Sequence, residues 1–468
     1  MFSKRVQKKY IDNRIFFWML VITAFFQFIY LSIASSNVPL MDYWRYIEMF
    51  VEKMNTGGLS FSDIWKNDGI HRSPLQFVYF ICNVRFFHMN ARVEIFLGEI
   101  VLFVLCIILY RTFVKDCCIK NTFLKGIFGS VIVIIIHNLN QYELINEQFA
   151  LSFASRMTFF LLSFIITNSY LKNTSKYKKY TFEVGLFFIL VLTSVGAGYF
   201  PAYILAIVVE IVFGWIDKRE KKEQIAWRNI VFLLVCLLLG LFIYFYGMTG
   251  TVTQSIEGNW NIGELIYQLI IGSFSMLGVC ILGNNISIRM ASIAGCILAV
   301  VYLYSIIIYV KRKYYHVTVL PMALYSYSLG CMGLVFIGRA GTFGIDYAFS
   351  SRYVCETNVA LIGLWLIAGI SIEETFKTVK DYKLVVKEKK IVIGIAILLG
   401  VCILHSDINE WKTAPFRKQY GEQLIENIYN INELEDEDFI PFQAREQDVR
   451  NGIEIMKKYH LGIFYYNE

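Results

Sequence analysis

The sequence predicts an all-α fold, a polytopic transmembrane helical bundle with about 11–13 spans. The 468-residue chain is 56% hydrophobic and only 17% charged. Its apolar runs repeatedly reach roughly the 20 residues that cross a bilayer. Lysine and arginine concentrate in the short connectors between these runs, which is the positive-inside pattern. The net charge of +7 therefore follows from membrane topology, and no nucleic-acid partner is predicted.

Orientation follows from the lysine-rich connectors, which we expect in the cytoplasm together with the N-terminus. The C-terminus is then extracytoplasmic, in a multi-pass protein of the cell membrane. Two further apolar runs, 74–90 and 262–283, disturb this alternation and are assigned provisionally as half-spans or interfacial helices. Full spans are predicted near 15–35, 93–112, 123–138, 149–171, 180–195, 199–216, 228–248, 287–310, 316–337, 353–372 and 389–405.

The chain is predicted to divide into a transmembrane module, residues 1–405, and a small extracytoplasmic segment, residues 406–468. The second part contains an acidic run at 433–438 and an amphipathic stretch at 446–459. It is too short to hold a large core by itself. The ten cysteines lie mostly inside apolar runs and have no paired spacing, so we predict neither a disulfide framework nor a zinc site.

The first outer loop, residues 36–73, carries a carboxylate, Asp42, just beyond the first span. Apolar residues recur at helical spacing from Pro39 to Gly57, which predicts an amphipathic helix lying on the membrane. A second helix is predicted to start at Ser60. The dipole of the first helix favours the ionised form of Asp42 in its first turn. Such an acid is either a catalytic group or an ordinary helix-start residue.

Cationic side chains occupy two places on the predicted outer face. His71 and Arg72 close the first loop, and Arg339 and Arg352 lie in a glycine-rich loop between two late spans, against the positive-inside rule. Arginine offers a planar fork of donors that fits a lipid phosphate. The alternatives are anchoring to lipid headgroups and, in the later loop, pairing with Asp346.

A polar stretch from Gln141 to Gln148 lies between two apolar runs, with Glu143 and Glu147 spaced to share a helix face. This pattern fits binding of sugar hydroxyls, binding of a cation, or an ordinary interhelical loop. Arg156 lies about two turns into the following span. It indicates a polar cavity, because an arginine inside a membrane span is costly unless it is paired or near water.

These motifs, in their order along the chain, resemble the bacterial branch of the GT-C superfamily of membrane glycosyltransferases. The resemblance touches most of the chain, although each motif is short. It rests on Met41-Asp-Tyr-Trp44, His71-Arg72, Gln141-Tyr-Glu143 with Asn146, Gly338-Arg-Ala-Gly341 with Ser351-Arg-Tyr353, and Lys458-Tyr-His-Leu-Gly-Ile-Phe464.

The resemblance implies a GT-C-type catalytic module over residues 1–405. It would move a sugar from a polyprenyl-phosphate donor to a cell-envelope glycan or glycolipid on the outer face, with inversion at the anomeric carbon. Asp42 would be the catalytic base. The implied substrate-binding residues are His71, Arg72, Glu143, Arg339, Arg352 and Tyr353.

Relatives of this kind often carry a second acid after the first-loop aspartate and a glutamate before the loop histidine. This chain has Tyr43 and Ile70 at those positions. The departure puts a divalent metal in doubt, and no other cofactor is predicted.

Two other functions stay open. An envelope-polysaccharide polymerase or ligase would use similar lipid donors. A transporter or flippase of lipid-linked saccharides would also need many spans and outer cations. A transporter would more naturally place its polar groups at mid-membrane, on broken helices in corresponding halves of the chain, and the sequence shows no such symmetry.

Overall fold

The computed structural model describes residues 14–67, 72–117, 119, 122–172, 180–195, 197–224, 227–247, 262–336, 349–378 and 382–466. Within these ranges the regular structure is entirely helical, which confirms the all-α prediction. The predicted site residues His71 and Arg339, together with Asp346, lie outside the described residues.

The α-helices of the described residues are numbered α1 to α19 in chain order. A π-helical segment, Ile47–Val51, joins α2 to α3. The helices are α1 Arg14–Ala34, α2 Tyr43–Tyr46, α3 Glu52–Thr56, α4 Phe61–Trp65, α5 Pro74–Phe87, α6 Ala91–Cys117, α7 Thr122–Ile136, α8 Tyr142–Ile145, α9 Ala150–Lys172, α10 Thr181–Val195, α11 Phe200–Glu220, α12 Trp227–Phe245, α13 Ile262–Leu282, α14 Ile288–Lys311, α15 Leu320–Val335, α16 Val354–Thr378, α17 Tyr382–Tyr429, α18 Glu446–Lys458 and α19 Ile463–Tyr466.

Nine helical segments of the described residues are long and apolar enough to cross a membrane, which indicates a multi-pass membrane protein. The predicted spans near 180–195 and 316–337 form the shorter helices α10 and α15, of 15 and 16 residues. The nine segments are Arg14–Ala34, Ala91–Cys117, Thr122–Ile145, Ala150–Lys172, Phe200–Glu220, Trp227–Phe245, Ile288–Lys311, Ser351–Glu374 and Ile393–Tyr429.

The run predicted provisionally as a half-span at 262–283 forms α13, a helix of 21 residues. A helix of that length reaches about 31 Å, but its described apolar part, Ile266–Leu282, is shorter than the nine segments above, so its assignment as a half-span or interfacial helix stays a prediction. It packs antiparallel to α14: a Cβ added at Gly278 would lie 2.0 Å from the carbonyl oxygen of Ala291. Glycine thus lets the two backbones touch. The run at 74–90 forms α5, of only 14 residues.

Two lysine-rich connectors meet at one end of the bundle, which we call the basic end. Lys313 Nζ lies 2.8 Å from Glu220 Oε2. Asp217 pairs with His316 Nδ1 at 2.6 Å and with Lys221 Nζ at 2.7 Å. These contacts bring together the connectors that follow α11 and α14. The opposite end, which carries the first loop and the C-terminal tail, is called the loop end.

The helix of the first loop begins at Tyr43, not at the predicted Pro39. Met41 has a φ of +54°, a left-handed conformation that a right-handed helix cannot pass through. Its N–H donates to the carbonyl oxygen of Phe442 at 2.9 Å. The helix then runs through α2, the π segment and α3 to Gly57, whose φ of 74° ends it.

The apolar face of this helix packs against the C-terminal tail, so the prediction that it lies on the membrane is wrong. Trp44 and Phe50 are fully buried. They belong to one hydrophobic core with Phe442, Val449 and Ile453 of the tail. We call this unit, residues 38–56 with residues 424–463, the loop–tail module.

The last membrane helix leads into the tail without a break. α17 has 48 residues, about 72 Å, and it passes through the predicted boundary between residues 405 and 406. The chain then folds back onto the first part of the protein, where the N–H of Gly462 donates to the carbonyl oxygen of His88 at 2.7 Å. The tail thus shares its core with the first loop, as its small size requires.

Gly452 of α18 lies against the indole of Trp44. A Cβ at this position would lie 2.6 Å from Trp44 Cε3. We expect Gly452→Ala to destabilise the protein by about 1–3 kcal/mol through overpacking, although alanine is the better helix former by about 1 kcal/mol. Thermal unfolding of the purified protein in detergent measures the effect.

The matched control is Gly400→Ala in α17, where an added Cβ meets open space. We expect this variant to unfold at the wild-type temperature or slightly above it. Identical unfolding temperatures for the two variants would contradict the packing of α18 on Trp44.

Candidate functional site

Side-chain hydrogen bonds shape the turn between α7 and α9 at the loop end. Asn138 accepts from the N–H of Asn140 at 2.9 Å and donates to the carbonyl oxygen of Cys280 at 2.7 Å. Gln141 Nε2 donates to the carbonyl oxygen of Ile136 at 2.5 Å. The turn is therefore fixed to the end of α13, and it presents α8 and its acidic residues in a defined position.

Glu143 of α8 binds the segment that precedes α16. Its Oε2 accepts hydrogen bonds from Ser350 Oγ (2.8 Å), from the N–H of Arg352 (3.1 Å) and from Arg352 Nε (3.4 Å). Its own N–H donates to Ser351 Oγ at 2.9 Å. Two predicted site residues, Glu143 and Arg352, are thus brought together, and Arg352 has a carboxylate partner within the described residues.

Arg352 also joins the first loop to the tail. Its Nη1 lies 3.7 Å from Met41 Sδ, and its Nη2 donates to Gln443 Oε1 at 3.2 Å. The side chain is 24% exposed. Three separate segments therefore meet at one guanidinium, and one of them is the chain neighbour of Asp42.

Asp42 lies at the N-cap of α2. Its Oδ1 lies 2.8 Å from Arg45 Nη2, and its side chain is 49% exposed. An exposed ion pair of this kind contributes little to stability. The carboxylate is therefore accessible from solvent.

A second arginine, Arg417 of α17, binds the same turn. Its guanidinium carbon lies 3.4 Å from the ring centroid of Tyr142, and its Nη2 lies 2.7 Å from Glu410 Oε2. Glu410 also accepts from the hydroxyl of Tyr30 at 2.6 Å. That hydroxyl accepts from Asn146 Nδ2 at 2.8 Å. The network ties α1, the α8 turn and α17 together at the loop end.

Sequence reasoning missed Arg417 and Glu410. Both fall within residues 406–468, which were assigned to a separate tail where polar side chains are ordinary. The two residues are seven positions apart, about two helical turns, and so share one helix face. Continuation of the last membrane helix beyond residue 405 was the signal that would have found them.

Glu147 follows α8 and is half-buried. Burial and the negative charge of Glu143 raise its pKa to about 8, while the positive charges of Arg352 and Arg417 act in the opposite direction. Its carboxyl group therefore exchanges a proton close to neutral pH, where general acid–base catalysis is most effective. Among the described residues, no group of three or more His, Cys, Asp or Glu side chains is placed to hold a metal ion.

Arg72 lies away from the α8 turn, at the C-terminal end of α12. Its Nη1 donates to the carbonyl oxygens of Ile243 (3.0 Å) and Tyr244 (2.6 Å) at the end of α12, and its guanidinium lies over the ring of Trp65. A cation at a helix C-terminus complements the helix dipole. The structure thus places Arg72 in a helix cap and shows no contact between it and Arg352.

Two further residues singled out from the sequence are buried. Tyr353 is 8% exposed at the start of α16. Arg156 forms a buried ion pair with Glu356 and lies over the rings of Phe153 and Tyr199, at 4.6 and 4.4 Å from their centroids. The carboxylate and the two rings account for the arginine that the sequence placed in a span.

An apolar groove of about 940 Å³ lies between α1, α7 and α17. It is lined mostly by aliphatic and aromatic side chains, with Gln27, His137 and Asp407 among its few polar residues. Trp411 lines the groove near the loop end, and its ring centroid lies 5.7 Å from that of Tyr30. Only 22% of the apolar window of α1, and of α17, is buried inside the protein, so most of each window lies on the protein surface beside the groove.

We expect Glu147→Gln to change how stability depends on pH. In the wild type the folded protein keeps the Glu147 proton up to about pH 8, whereas the unfolded chain releases it near the ordinary value of 4.5. Between these values the folded state binds more protons, so the free energy of unfolding falls as pH rises. Glutamine is neutral throughout and removes this fall. Unfolding temperatures at pH 5 and pH 9 measure the difference.

The control is Glu437→Gln, which changes an exposed glutamate of the tail. It should keep the pH dependence of the wild type. Parallel pH profiles for Glu147→Gln and the wild type would show that the Glu147 carboxyl group is not held as described.

No family model, curated protein or solved structure matches this chain. The resemblance to GT-C enzymes therefore rests on the short motifs quoted above. Function is inferred from the residues that the fold gathers at the loop end, namely Asp42, Glu143, Glu147, Arg352 and Arg417.

Proposed function

We propose that this protein is an integral membrane glycosyltransferase, which moves a sugar from a polyprenyl-phosphate donor to a cell-envelope acceptor at its loop end. The observation that carries the proposal is Arg352, which connects Glu143, Gln443 and the chain neighbour of Asp42. Polar groups hold this guanidinium at the ends of membrane helices. It can therefore bind an anion, such as a phosphate, at the level of the lipid headgroups. The loop end then faces outward, with the N-terminus in the cytoplasm.

The two arginines of the site suit the donor phosphate. Arg352 carries its guanidinium at the junction of three segments and is 24% exposed, so an anion can reach it from solvent. The guanidinium of Arg417 is held by Glu410, so its charge has a fixed position. Fixed positive groups stabilise a departing phosphate most, because negative charge develops there in the transition state.

The proposed reaction is a single displacement at the anomeric carbon. The oxygen of the acceptor hydroxyl forms a bond to this carbon while the bond from carbon to the phosphate oxygen breaks. The phosphate leaves with the electron pair. Asp42 accepts the hydroxyl proton, a role worth about 10²–10⁴ in rate for a positioned base. The configuration of the sugar is inverted.

A transporter of lipid-linked saccharides is the second candidate, because buried polar pairs lie inside the spans. Glu99 Oε1 lies 2.7 Å from His137 Nδ1, and Arg156 pairs with Glu356. Glu99 is only eight residues into α6, about 12 Å from the loop end. These pairs therefore lie in the loop half of the bundle, whereas transporters bind substrate near the midplane. A polymerase or ligase with similar lipid donors remains a related alternative.

Asp42→Asn tests the catalytic base. The variant keeps the shape of the side chain but removes its basicity, so we expect it to fold and bind donor while losing about 10²-fold or more of the transfer rate. The measurement is transfer of labelled sugar from a polyprenyl-phosphate donor to envelope material.

Asp63→Asn is the control, since Asp63 is another acid at the start of a first-loop helix, in the first turn of α4. It should keep most of the transfer rate. Near-normal transfer by Asp42→Asn would refute the assignment of Asp42 as the base. If Glu147→Gln lost transfer while Asp42→Asn kept it, Glu147 would be the base instead.

Arg352→Lys tests phosphate recognition. Lysine keeps the charge but loses the planar fork that bonds several partners at once. We expect the KM for the donor to rise about tenfold, with a smaller change in kcat. The control is Arg445→Lys, an arginine that is 77% exposed in the tail. An unchanged KM in Arg352→Lys would remove this residue from the site.

A further inference from the structure

The apolar groove between α1, α7 and α17 contains three polar side chains that the proposed transfer reaction does not use. They are Gln27 of α1, His137 just after α7, and Asp407 of α17, and we call them the groove cluster. Asp407 is the only acid among the described residues that line the groove, and these include no lysine or arginine. The charge of the lining therefore does not suit an anion.

The carboxylate of Asp407 keeps capacity for a ligand. Its Oδ1 accepts from the N–H of Leu139 at 2.8 Å, and a carboxylate has about four acceptor positions. Glu410, three residues further along α17, already binds Arg417 and Tyr30. An ionised carboxylate in an apolar groove is costly unless a positive charge lies close to it. A cation bound in the groove removes this cost.

His137 does not supply that positive charge to the groove. Its Nδ1 lies 2.7 Å from Glu99 Oε1, and its Nε2 lies 3.5 Å from Cys106 Sγ. Both ring nitrogens therefore face protein groups, and the Glu99 carboxylate balances a second proton on the imidazole. The ring stacks on Phe103, with centroids 4.1 Å apart. The negative charge of an ionised Asp407 is thus left without a protein cation in the groove lining.

Gln27 gives the groove a buried amide. The residue is only 4% exposed, and its Nε2 makes no hydrogen bond within the part of the chain that the structure describes. A buried amide without a partner is destabilising. Because no hydrogen bond holds the nitrogen, the amide can turn its oxygen toward a cation.

The amide and the carboxylate lie at the same level of the groove. The hydroxyl of Tyr30 donates to Glu410, and a Cβ added at Gly421 would touch Ser36 Cβ. These two contacts follow the same order along both segments, so α1 and α17 run parallel here. The groove-cluster residues of the two helices each precede the contact between Tyr30 and Glu410 by three positions. They therefore have the same height along the two helix axes.

Two aromatic rings flank this level of the groove. Trp411 lies about one turn beyond Asp407 on the same face of α17, and Phe26 is the chain neighbour of Gln27. Their ring centroids are 6.3 Å apart, and their planes are nearly perpendicular, at 85°. Both residues line the groove. Aromatic faces attract cations, and the attraction is stronger where water is excluded.

We propose that the groove binds a lipophilic organic cation, whose charged centre lies at Asp407 between the Gln27 amide and the two aromatic rings. Its apolar body lies along the aliphatic wall toward Gly400. The volume of about 940 Å³ is ordinary for a small-molecule pocket, roughly 300–1,000 Å³. A hydrocarbon chain alone would leave the carboxylate and the amide without ligand partners. This site does not depend on the proposed sugar transfer.

Binding of tetraphenylphosphonium to the full-length protein in a neutral maltoside detergent tests the site. Equilibrium dialysis compares this cation with tetraphenylborate, which has the same shape and the opposite charge. We expect the wild type to bind the phosphonium about tenfold more tightly than the borate, or better. Equal affinities would show that the groove selects only for apolar surface, and no measurable binding of the phosphonium would refute the site.

Asp407→Asn tests the charge. Asparagine keeps an oxygen for the N–H of Leu139, so the variant should fold. We expect it to bind the phosphonium about tenfold more weakly than the wild type. The control is Glu426→Gln, which changes an exposed acid of α17 outside the groove and should bind like the wild type. Unchanged binding by Asp407→Asn would overturn the proposal.

Gly400→Phe tests the position of the apolar body. A Cβ added at Gly400 meets open space, so the new ring fills the groove and should weaken binding of the phosphonium about tenfold or more. Gly394→Phe, at an equally open position of α17 outside the groove, should bind like the wild type. Equal affinities of these two variants would mean that the cation binds elsewhere.

A membrane lipid offers the same chemistry, because the headgroup of phosphatidylethanolamine carries an ammonium. Added phosphatidylethanolamine and phosphatidylglycerol separate the two sources. If only phosphatidylethanolamine competes with the phosphonium, the occupant is a lipid ammonium, and if neither lipid competes, it is a free amphiphilic cation. Equal competition by phosphatidylglycerol, whose headgroup has no ammonium, would show that the groove binds the lipid chain, and the cation site would be refuted.

Discussion

The packing of α18 against the first-loop helix, with Trp44 on Gly452, holds the loop end in its arrangement. It buries the apolar face of the loop helix and sets the backbone hydrogen bond between Met41 and Phe442. That bond places Asp42 at a helix start, and the next tail residue, Gln443, reaches Arg352. The polar site therefore depends on a hydrophobic contact between the two ends of the chain, and neither end has enough apolar surface to form a core alone.

The membrane helices could be predicted from the sequence because span length and apolar composition are local properties. Two of the lysine-rich connectors, which were predicted to share one side of the membrane, meet at the basic end. The first-loop helix shows the limit of such reasoning. Its periodicity indicated that one face is buried, but periodicity does not distinguish lipid from protein as the covering partner, and the partner lies some 400 residues away in the sequence. The start of the helix at Tyr43 depends on the same partner through Met41.

The candidate site was predictable in part. Glu143 was singled out because it lies in a polar stretch between apolar runs, and Arg352 because it stands on the predicted outer side against the positive-inside rule. Their mutual pairing was not predictable, since it depends on how the α8 turn meets the start of α16. Arg72 is also an arginine at the edge of an apolar run, yet it caps the end of α12. The sequence could not distinguish this role from phosphate binding, because the carbonyl oxygens of a helix end and the oxygens of a phosphate are similar acceptors for a guanidinium. Arg417 was not predicted because it lies beyond the apolar run of its helix, in a part of the sequence that was assigned to a separate tail.

Because α17 is one continuous helix, the direction in which its last residues and the tail face is set by their position along that helix. Each residue of an α-helix adds 1.5 Å of rise and 100° of rotation. Deleting one residue between Leu404 and Glu410 would turn everything beyond it by more than a quarter of a circle relative to the groove. Arg417 would leave the ring of Tyr142, and α18 would no longer face Trp44. The contacts of Arg417 and α18 thus depend on the number of residues between the apolar part of α17 and the tail, as well as on the identity of the contacting residues.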